Sequence, residues 1–428
     1  MILLLCILLG MYLLRTTATV LNLRALSPAI PPEFAGTLDP AAYARSQDYS
    51  RVKERAGLVE DAATLATFLV FWLAGGFAWL HGWTAGLGLG PVATGLVAVT
   101  VLVVLQWLVG LPFDLHHTFV IEERFGFNRT TPATYALDQL KAAALGVVFG
   151  LPLLAAILWI LREVPNAWLW AWATVAVWSL FLTFIAPSVI MPLFNKFTPL
   201  ADGPLRSGID ALARRCGFPL AGVFVMDGSK RSSKANAFFT GFGRHRRIAL
   251  FDTLVERHGT DELLAVLAHE IGHFKKHHIW QQMAGGLAMT FVLFLLLGWT
   301  LRLSPLYEAF GLHIDPAHPP IHFGLVFFLV FFRPLQELMS VARYALSRKH
   351  EFEADAFASE ATGGGRDLAN ALRRLSADSL SNLTPHPLEV WLHHTHPPVV
   401  LRLRALAAAP ARVPIPASTR ARQTNRGR

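Results

Sequence analysis

The sequence predicts an all-α membrane protein with seven transmembrane helices and one small α+β unit in the cytoplasm. Two observations predict this fold class. First, hydrophobic residues make up 53% of the 428 residues and charged residues only 16%, and the mean hydropathy is +0.42. Soluble proteins are seldom so apolar, and one membrane span needs about 20 apolar residues. Second, seven apolar runs follow one another along the chain, with a long polar segment at 195–278 between the fifth and the sixth.

The seven runs differ in how clearly they mark a span. They lie at 1–14, 62–82, 91–113, 142–161, 167–186 and 279–301, and the last begins at 321. The first run ends at Arg15 and has no basic segment before it, which favours a retained span over a cleaved signal peptide. The seventh run carries Arg333 and Glu337, which are spaced to pair. Such residues face protein or a water-filled cavity inside a span, or they belong to an ordinary helix end.

The basic residues are distributed unevenly among the connections. They are dense after the first span, between spans 3 and 4, between spans 5 and 6, and after span 7, and they are nearly absent elsewhere. Because basic loops remain in the cytoplasm, this alternation places the N-terminus outside and residues 195–278 inside. It also explains the net charge of +9 without a nucleic-acid partner. The excess of Arg over Lys, with abundant Ala and Leu, indicates a bacterial inner-membrane protein.

The same pattern divides the chain into six parts. We expect the first helix and a loop at 1–60, spans 2 to 5 at 61–194, the α+β unit at 195–278, spans 6 and 7 at 279–346, a second cytoplasmic part at 347–406 and a disordered tail at 407–428. Within the α+β unit, the residue pattern predicts strands at 221–226 and 247–254, with 236–242 as a third, edge strand.

The polar stretch 260–278 carries the strongest chemical signal. Its leucines and isoleucine recur at helical spacing, and Thr260 is the predicted N-cap of this helix. His269 and His273 lie one turn apart, so both imidazoles can bind one metal ion. Glu270 can reach a water on that ion. Zinc peptidases use this H-E-x-x-H arrangement, in which the metal lowers the pKa of a water and the glutamate takes its proton.

The motif alone does not establish a metal site, because a polar helix face can produce it by chance. A catalytic zinc ion needs a third protein ligand. Glu351 and Glu353 are both candidates on a helix that continues from the seventh span, and a solvated charged face is the alternative for both. Asp355, one turn after Glu351, could orient a ligating histidine. The two cysteines, at positions 6 and 216, are discounted as ligands, because Cys6 lies in an apolar run.

Ordered motifs extend the signal over nearly the whole chain. They are TFVIEERFGFNR at 118–129, PLFNKFTPL at 192–200, SKRSSKANAFF at 229–239, LFDTL at 250–254, HEIGH at 269–273, EFEAD at 351–355 and HPP at 396–398. Together these stretches resemble the type I CAAX prenyl proteases, which are integral-membrane zinc metallopeptidases. The resemblance implies a gluzincin-like unit and helices that enclose a water-filled chamber. It also implies Glu351 as the third zinc ligand and Asp355 as the acid behind a ligand, and it leaves Glu353 outside the motif.

The resemblance further implies how the substrate is held. In this family an edge strand binds the substrate backbone by strand addition, and the matching residues here are Asn236, Ala237 and Phe238. One departure lies two residues earlier, where the family usually has histidine and this chain has Lys234. Any family role for that histidine therefore does not transfer to this side chain.

Two more positions match the family's H-P-P-x-x-x-R element, namely His396 and Arg402. The resemblance implies that they stabilise the developing oxyanion and orient the substrate. On their own, a histidine at position 396 would more often cap or pack a helix end, and an arginine at position 402 would more often be a solvated charge on a helix.

The combined interpretation is a membrane endopeptidase with one Zn²⁺ per chain. Its expected partners are membrane lipids and extended peptide substrates, either of the CAAX type, with or without a prenyl group, or otherwise membrane-associated. The first alternative is a bacterial quality-control protease that has no prenylated substrate. From another class, a non-catalytic scaffold is disfavoured by the ligand set, and a transporter is disfavoured because no pair of interrupted spans recurs in matching halves. The sequence does not indicate the oligomeric state.

Overall fold

The architecture is taken from a computed structural model, which describes residues 1–240 and 246–408. In this part of the chain the helices are α1 (Ile2–Ala25), α2 (Pro40–Leu73), α3 (Gly76–Ala85), α4 (Pro91–Glu122), α5 (Pro132–Glu163), α6 (Ala167–Phe194), α7 (Pro204–Arg215), α8 (Asp252–Arg257), α9 (Thr260–Lys275), α10 (His278–Thr300), α11 (Ser304–Glu308), α12 (Ile321–Thr362), α13 (Arg366–Asp378), α14 (Pro387–His393) and α15 (Val399–Ala408). The strands are β1 (Phe197–Pro199), β2 (Leu220–Met226), β3 (Ala237–Thr240) and β4 (Arg246–Phe251).

Seven helices of the described residues are long and apolar enough to cross a membrane, namely α1, α2, α4, α5, α6, α10 and α12. The predicted number of spans is confirmed. Helix α12 has 42 residues, which at 1.5 Å per residue is about 63 Å. Because a hydrocarbon core is about 30 Å thick, α12 continues well beyond a membrane. Its far end carries Glu351 and Asp355, so one continuous helix connects a span to the predicted metal site.

The predicted span at 62–82 is divided in two. Helix α2 already begins at Pro40, in a charged stretch that hydropathy does not mark, and it ends at Leu73. Gly75 then adopts a φ of +80°, and α3 begins at Gly76. A positive φ is readily adopted by glycine and costs other residues energy, which is why the chain turns here.

The four strands form one mixed sheet in the order β1-β2-β4-β3, with β2 and β4 parallel and the outer pairs antiparallel. The edge strand predicted at 236–242 is confirmed at Ala237–Thr240, while residues 241 and 242 lie outside the described residues. The strand predicted at 247–254 was too long, because α8 begins at Asp252. Strand β1 has three residues, too few for a readable pattern, and was not predicted.

The core of the α+β unit lies between the sheet and α9. Leu263, Leu267 and Ile271 on α9 and Ile248 and Leu250 on β4 are each at most 2% exposed. Burial of a side chain of this size contributes roughly 1.5–3 kcal/mol. These contacts fix the buried face of α9 on the sheet and leave its other residues to contact α12.

The beginning of α9 differs from the prediction. Gly259 is the N-cap, and Thr260 is the first helical residue. The helix is still favoured at this end, because Asp261 and Glu262 in its first turn complement the helix dipole.

The predicted pair in the seventh span is confirmed. Arg333 Nε lies 3.4 Å from Glu337 Oε1, and Arg15 Nη2 of α1 lies 3.1 Å from the same oxygen. The carboxylate therefore connects the first and the last span. At the other end of the chain, α15 extends to Ala408, and the rest of the predicted tail, at 409–428, lies outside the described residues.

Candidate metal and peptidase site

Three possible metal donors converge where α9 crosses α12. His269 and His273 project from α9, and their Nε2 atoms are 3.1 Å apart. Glu351 of α12 places Oε1 3.2 Å from His273 Nε2 and Oε2 3.5 Å from His269 Nε2. One donor atom from each residue lies within 4.8 Å of the others. The structure thus brings together the three residues that the sequence singled out as metal ligands.

A glycine makes this crossing close. A Cβ at Gly272 would lie only 3.1 Å from the Cα and the carbonyl oxygen of Ala354 on α12. A side chain at this position would require α9 and α12 to move apart by a few tenths of an ångström. The glycine inside the H-E-x-x-H motif therefore sets the distance between the donors.

The donor set fits a metal ion by its chemistry and by its unsatisfied atoms. Glu351 is 4% exposed, and its Oε2 accepts no hydrogen bond from the described residues, while Arg402 Nη1 lies 3.1 Å away as an ion-pair partner. A buried carboxylate oxygen of this kind can take a metal ion as a further partner. Two imidazoles and one glutamate are also the protein ligands of a common class of catalytic zinc sites.

Asp355 and Arg402 support the donors from behind. Asp355 Oδ1 lies 2.8 Å from His269 Nδ1, which directs the other ring nitrogen toward the donor set. Arg402 of α15 donates to both oxygens of Asp355, from Nε at 2.8 Å and from Nη2 at 2.6 Å. Arg402 is buried, so its positive charge is placed directly against two buried carboxylates, those of Asp355 and Glu351.

Burial and neighbouring charges shift the pKa values of His269 and Glu270 on α9. Burial opposes the charge on His269, but the carboxylates of Asp355 and Glu351 outweigh it and raise the pKa of this imidazole to about 9. Burial raises the pKa of the Glu270 carboxyl, and His269 and His273 partly offset this rise. A glutamate with a raised pKa is suited to accept and return a proton near neutral pH.

His396 lies on the open side of the donor set. Its Nε2 is 3.4 Å from Glu351 Oε1, its Nδ1 is 2.9 Å from Thr395 Oγ1, and its side chain is 65% exposed. Of the two H-P-P-x-x-x-R residues, His396 is accessible to a ligand, whereas Arg402 is enclosed among carboxylates.

The predicted substrate residues lie at the sheet edge. Asn236 is exposed and directly precedes β3, and its Oδ1 accepts a hydrogen bond from Ala237 N at 2.8 Å. Phe239 packs into the core of the unit, while Phe238 on the other face contacts the ring of Phe251. No other strand of residues 1–240 and 246–408 pairs with the outer side of β3, so its backbone groups there can pair with an extended peptide.

Glu353 is not part of the donor set. Its Oε2 lies 3.0 Å from His278 Nε2, and its Oε1 lies 3.7 Å from Lys349 Nζ. His278 in turn contacts His273. Sequence reasoning missed His278, because His273 and His278 are five residues apart and a continuous helix would place them on different faces.

Lys234, the departure from the family pattern, has three partners from elsewhere in the chain. Its Nζ lies 2.7 Å from Glu122 Oε2, 2.9 Å from the hydroxyl of Tyr49 and 4.3 Å from the ring centre of Phe127. Tyr49 also donates to Glu122. This cluster fastens the segment before the edge strand to α2 and α4.

Known proteins share both the fold and the donor motifs. Residues 19–196 match a family model described as CAAX prenyl protease N-terminal, five membrane helices, and residues 199–409 match peptidase family M48. The chain belongs to the CAAX prenyl proteases of family M48. This M48 peptidase is 37% identical over 408 residues to the CAAX prenyl protease 1 homolog of Arabidopsis thaliana, covering 92% of this chain and 95% of the plant protein.

Two further relatives agree. CAAX prenyl protease 1 of Saccharomyces cerevisiae is 37% identical over 402 residues, covering 88% of each chain. The crystal structure of S. mikatae Ste24p matches this M48 peptidase with a TM-score of 0.89 and 35% identity, over 94% of this chain and 97% of that one. The expected family, the multi-span fold and the metallopeptidase activity are therefore confirmed. A quality-control protease without a prenyl substrate, a scaffold and a transporter are not favoured.

Proposed function

We propose that this metallopeptidase uses zinc, held by His269, His273 and Glu351. The observation that carries the proposal is the convergence of these three residues, each of which offers one donor atom within 4.8 Å of the others. The donor set is the His₂Glu set of catalytic zinc sites, which leave one position for water or substrate. We propose one zinc ion per chain.

Zinc in such a site supplies a Lewis acid and lowers the pKa of water. The protein's own residues provide the proton transfer and the orientation. Glu270, next to His269 on α9, accepts a proton from the attacking water and later delivers it to the leaving nitrogen. The burial that raises the pKa of Glu270 supports both halves of this role.

His396 and Arg402 divide the remaining work. His396 is exposed beside the donor set, and we assign it the hydrogen bond to the carbonyl oxygen of the scissile bond as negative charge develops there. Arg402 contacts the carboxylates of Asp355 and Glu351. These contacts support an indirect role, in which Arg402 holds the two carboxylates and through them contributes to the electrostatic field at the scissile carbonyl. Asp355 fixes the ring orientation of His269.

The substrate is an extended peptide that adds to the outer edge of β3. Asn236, Ala237 and Phe238 supply the backbone contacts, so recognition depends little on sequence. We propose peptides with a CAAX-type C-terminus, for which a prenyl group improves binding and is not essential. The names of the relatives support CAAX-type substrates. The exposed strand edge supports the cleavage of peptides with different sequences.

The proposed setting is a bacterial inner membrane. The density of basic residues in alternate connections supports an N-terminus outside and an α+β unit in the cytoplasm. We further propose that the membrane helices enclose a water-filled chamber beside the site, in contact with membrane lipids.

Metal analysis and a cleavage assay test the proposal. We expect about one zinc per purified chain, and cleavage of a CAAX peptide that a chelator abolishes and added zinc restores. Matched prenylated and unprenylated peptides should differ in kcat/KM by about 10- to 100-fold. A chain without zinc, or cleavage that survives complete metal removal, would refute the zinc role. Complete inactivity on the unprenylated peptide would make the prenyl group essential.

A further inference from the structure

His273 has a second contact on the side of its ring that faces away from the donor set. Its Nδ1 lies 3.1 Å from Nδ1 of His278, and Nε2 of His278 lies 3.0 Å from Glu353 Oε2. His278 is 1% exposed. A buried imidazole therefore joins a predicted ligand to a carboxylate at the protein surface.

The direction of these hydrogen bonds follows from the chemistry of imidazole. If His273 binds metal through Nε2, its proton is on Nδ1, which can only donate. His278 must then accept at Nδ1 and carry its own proton on Nε2, from which it donates to Glu353. One tautomer of each ring satisfies every contact, and it is the tautomer that metal binding through Nε2 requires.

A backbone turn and a stacked imidazole hold His278 in this position. Helix α9 ends at Lys275, and His277 adopts a φ of +59°, so the chain turns and α10 begins at His278. The ring of His278 stacks on that of His350, with centroids 3.9 Å apart and planes at 7°. His350 is itself held by Gln281, whose Oε1 lies 2.9 Å from its Nε2.

We infer that His278 and Glu353 are positioning residues that fix the tautomer and the ring orientation of His273. The two imidazole ligands are thus supported differently. His269 contacts Asp355 directly, whereas His273 reaches Glu353 only through His278. This inference rests on the proposed zinc site. Removal of the hydrogen-bond partner of a metal-ligating histidine typically weakens metal binding by about 10- to 100-fold.

Zinc affinity of the full-length purified protein, measured by competition with a chromophoric chelator, tests the inference. His278→Phe keeps a flat ring for the stack and removes both nitrogens, and we expect zinc to bind about 10- to 100-fold more weakly. His278→Asn restores an acceptor close to the position of Nδ1 and should recover part of the loss. The matched control is His277→Asn, because His277 is exposed and asparagine tolerates its positive φ. This control should bind zinc like the wild type.

A double-mutant cycle separates a relay from a general structural role. Glu353→Ala alone removes the acceptor for His278 Nε2 and should weaken zinc binding several-fold, and it should add nothing in the His278→Phe background, because Glu353 acts only through His278. Equal effects of Glu353→Ala in both backgrounds would overturn the inference, as would wild-type affinity in His278→Phe.

Folding of the variants is checked by the melting temperature of each metal-free protein, which should equal that of the metal-free wild type. If His278→Phe does not fold, Glu353→Ala remains decisive, because the side chain of Glu353 is 37% exposed and wild-type zinc affinity in this variant alone refutes the relay. The result for the wild type distinguishes failure of the zinc site from failure of the relay. A wild-type chain that binds no zinc refutes the proposed zinc site, whereas one that binds zinc independently of His278 refutes only the relay.

Discussion

Arg402 and Asp355 form a buried two-point contact, with Nε 2.8 Å from Oδ2 and Nη2 2.6 Å from Oδ1. A planar guanidinium can match both oxygens of one carboxylate, which a lysine ammonium cannot do. Through this contact α15, near the end of the described chain, is fastened to α12 directly behind the donor set.

Removal of this contact should destabilise the protein and weaken metal binding. Arg402→Leu removes the guanidinium from beside two buried carboxylates, and breaking a buried ion pair in this way costs about 3–5 kcal/mol. Arg402→Lys keeps the charge but loses the two-point geometry and should have a smaller effect in the same direction. Thermal unfolding and zinc affinity are the measurements. The control is Arg404→Lys, because Arg404 forms an ion pair with Glu33 through a side chain that is 60% exposed. An equal loss in this control would show that the effect is not specific to the site.

Glu270 and Glu351 should differ in their effects on metal and on turnover. Glu270→Gln leaves all three donors in place, so zinc content should be unchanged while kcat falls by several orders of magnitude. Glu351→Ala removes a donor and should lower both zinc content and activity. Metal analysis and peptide cleavage on the same preparations check both results. Loss of zinc in Glu270→Gln would make Glu270 a ligand.

Asn236→Ala tests the grip on the substrate backbone. The edge strand contacts atoms that every peptide has, so the variant should lower kcat/KM for a prenylated and an unprenylated peptide by similar factors. The ratio of the two kcat/KM values is therefore expected to stay constant. A selective loss on one peptide would instead connect Asn236 with recognition of the lipid or of the free C-terminus.

Reporter fusions test the orientation. Thr198 lies in β1 at the start of the α+β unit, and fusions after Thr198 and at the C-terminus should both report the cytoplasm. The physical reason is the retention of basic loops on that side. An extracytoplasmic signal at either point would contradict the proposed topology.

Glu389 should make stability depend on pH. It is 8% exposed, its Oε2 has no hydrogen-bond partner among residues 1–240 and 246–408, and burial with repulsion from Glu54 raises its pKa to about 7, while Lys53 partly opposes this rise. The folded chain therefore keeps a proton between about pH 4.5 and pH 7 that the unfolded chain has already lost. Stability from this group is present below about pH 4.5 and falls as the pH rises to 7, by about 3 kcal/mol at most.

Glu389→Gln removes the buried carboxyl and, with it, the loss of stability as the pH rises from about 4.5 to 7. Its melting temperature should exceed that of the wild type at pH 8, and the difference should shrink toward pH 5. Glu163→Gln is the control, because the side chain of Glu163 is 52% exposed and pairs with Arg162. A difference for Glu389→Gln that does not change with pH would show that Glu389 is not the group responsible.

The sequence predicted the parts of the site that depend on local spacing. His269, Glu270 and His273 follow from helical geometry, and the motif EFEAD, through the family resemblance, singled out Glu351 in preference to Glu353. The sequence could not predict contacts between segments that are distant along the chain. Nothing near Lys234 indicates that Tyr49 and Glu122 will surround it. His278 reaches His273 because His277, which is not a glycine, adopts a positive φ, and local patterns do not signal such a turn.

The fold shows the same division. Long apolar runs predicted the spans, but the extension of α2 back to Pro40 was hidden, because residues 40–60 are rich in charged and polar side chains and form no apolar run. The three residues of β1 form a strand because β2 offers an edge to pair with, which no window of local sequence contains.

The division of the donors between α9 and α12 has a consequence for biosynthesis. Helix α10, itself long and apolar enough to span a membrane, is made between them, and Arg402 is made after both. A ribosome that has released only α9 has produced two imidazoles without their carboxylate. The last span must be translated and inserted, and α15 must dock, before the site is complete. A chain that stops before residue 402 lacks the cation behind the donors, so we expect no peptide cleavage before α10 and α12 have been made and α15 has docked.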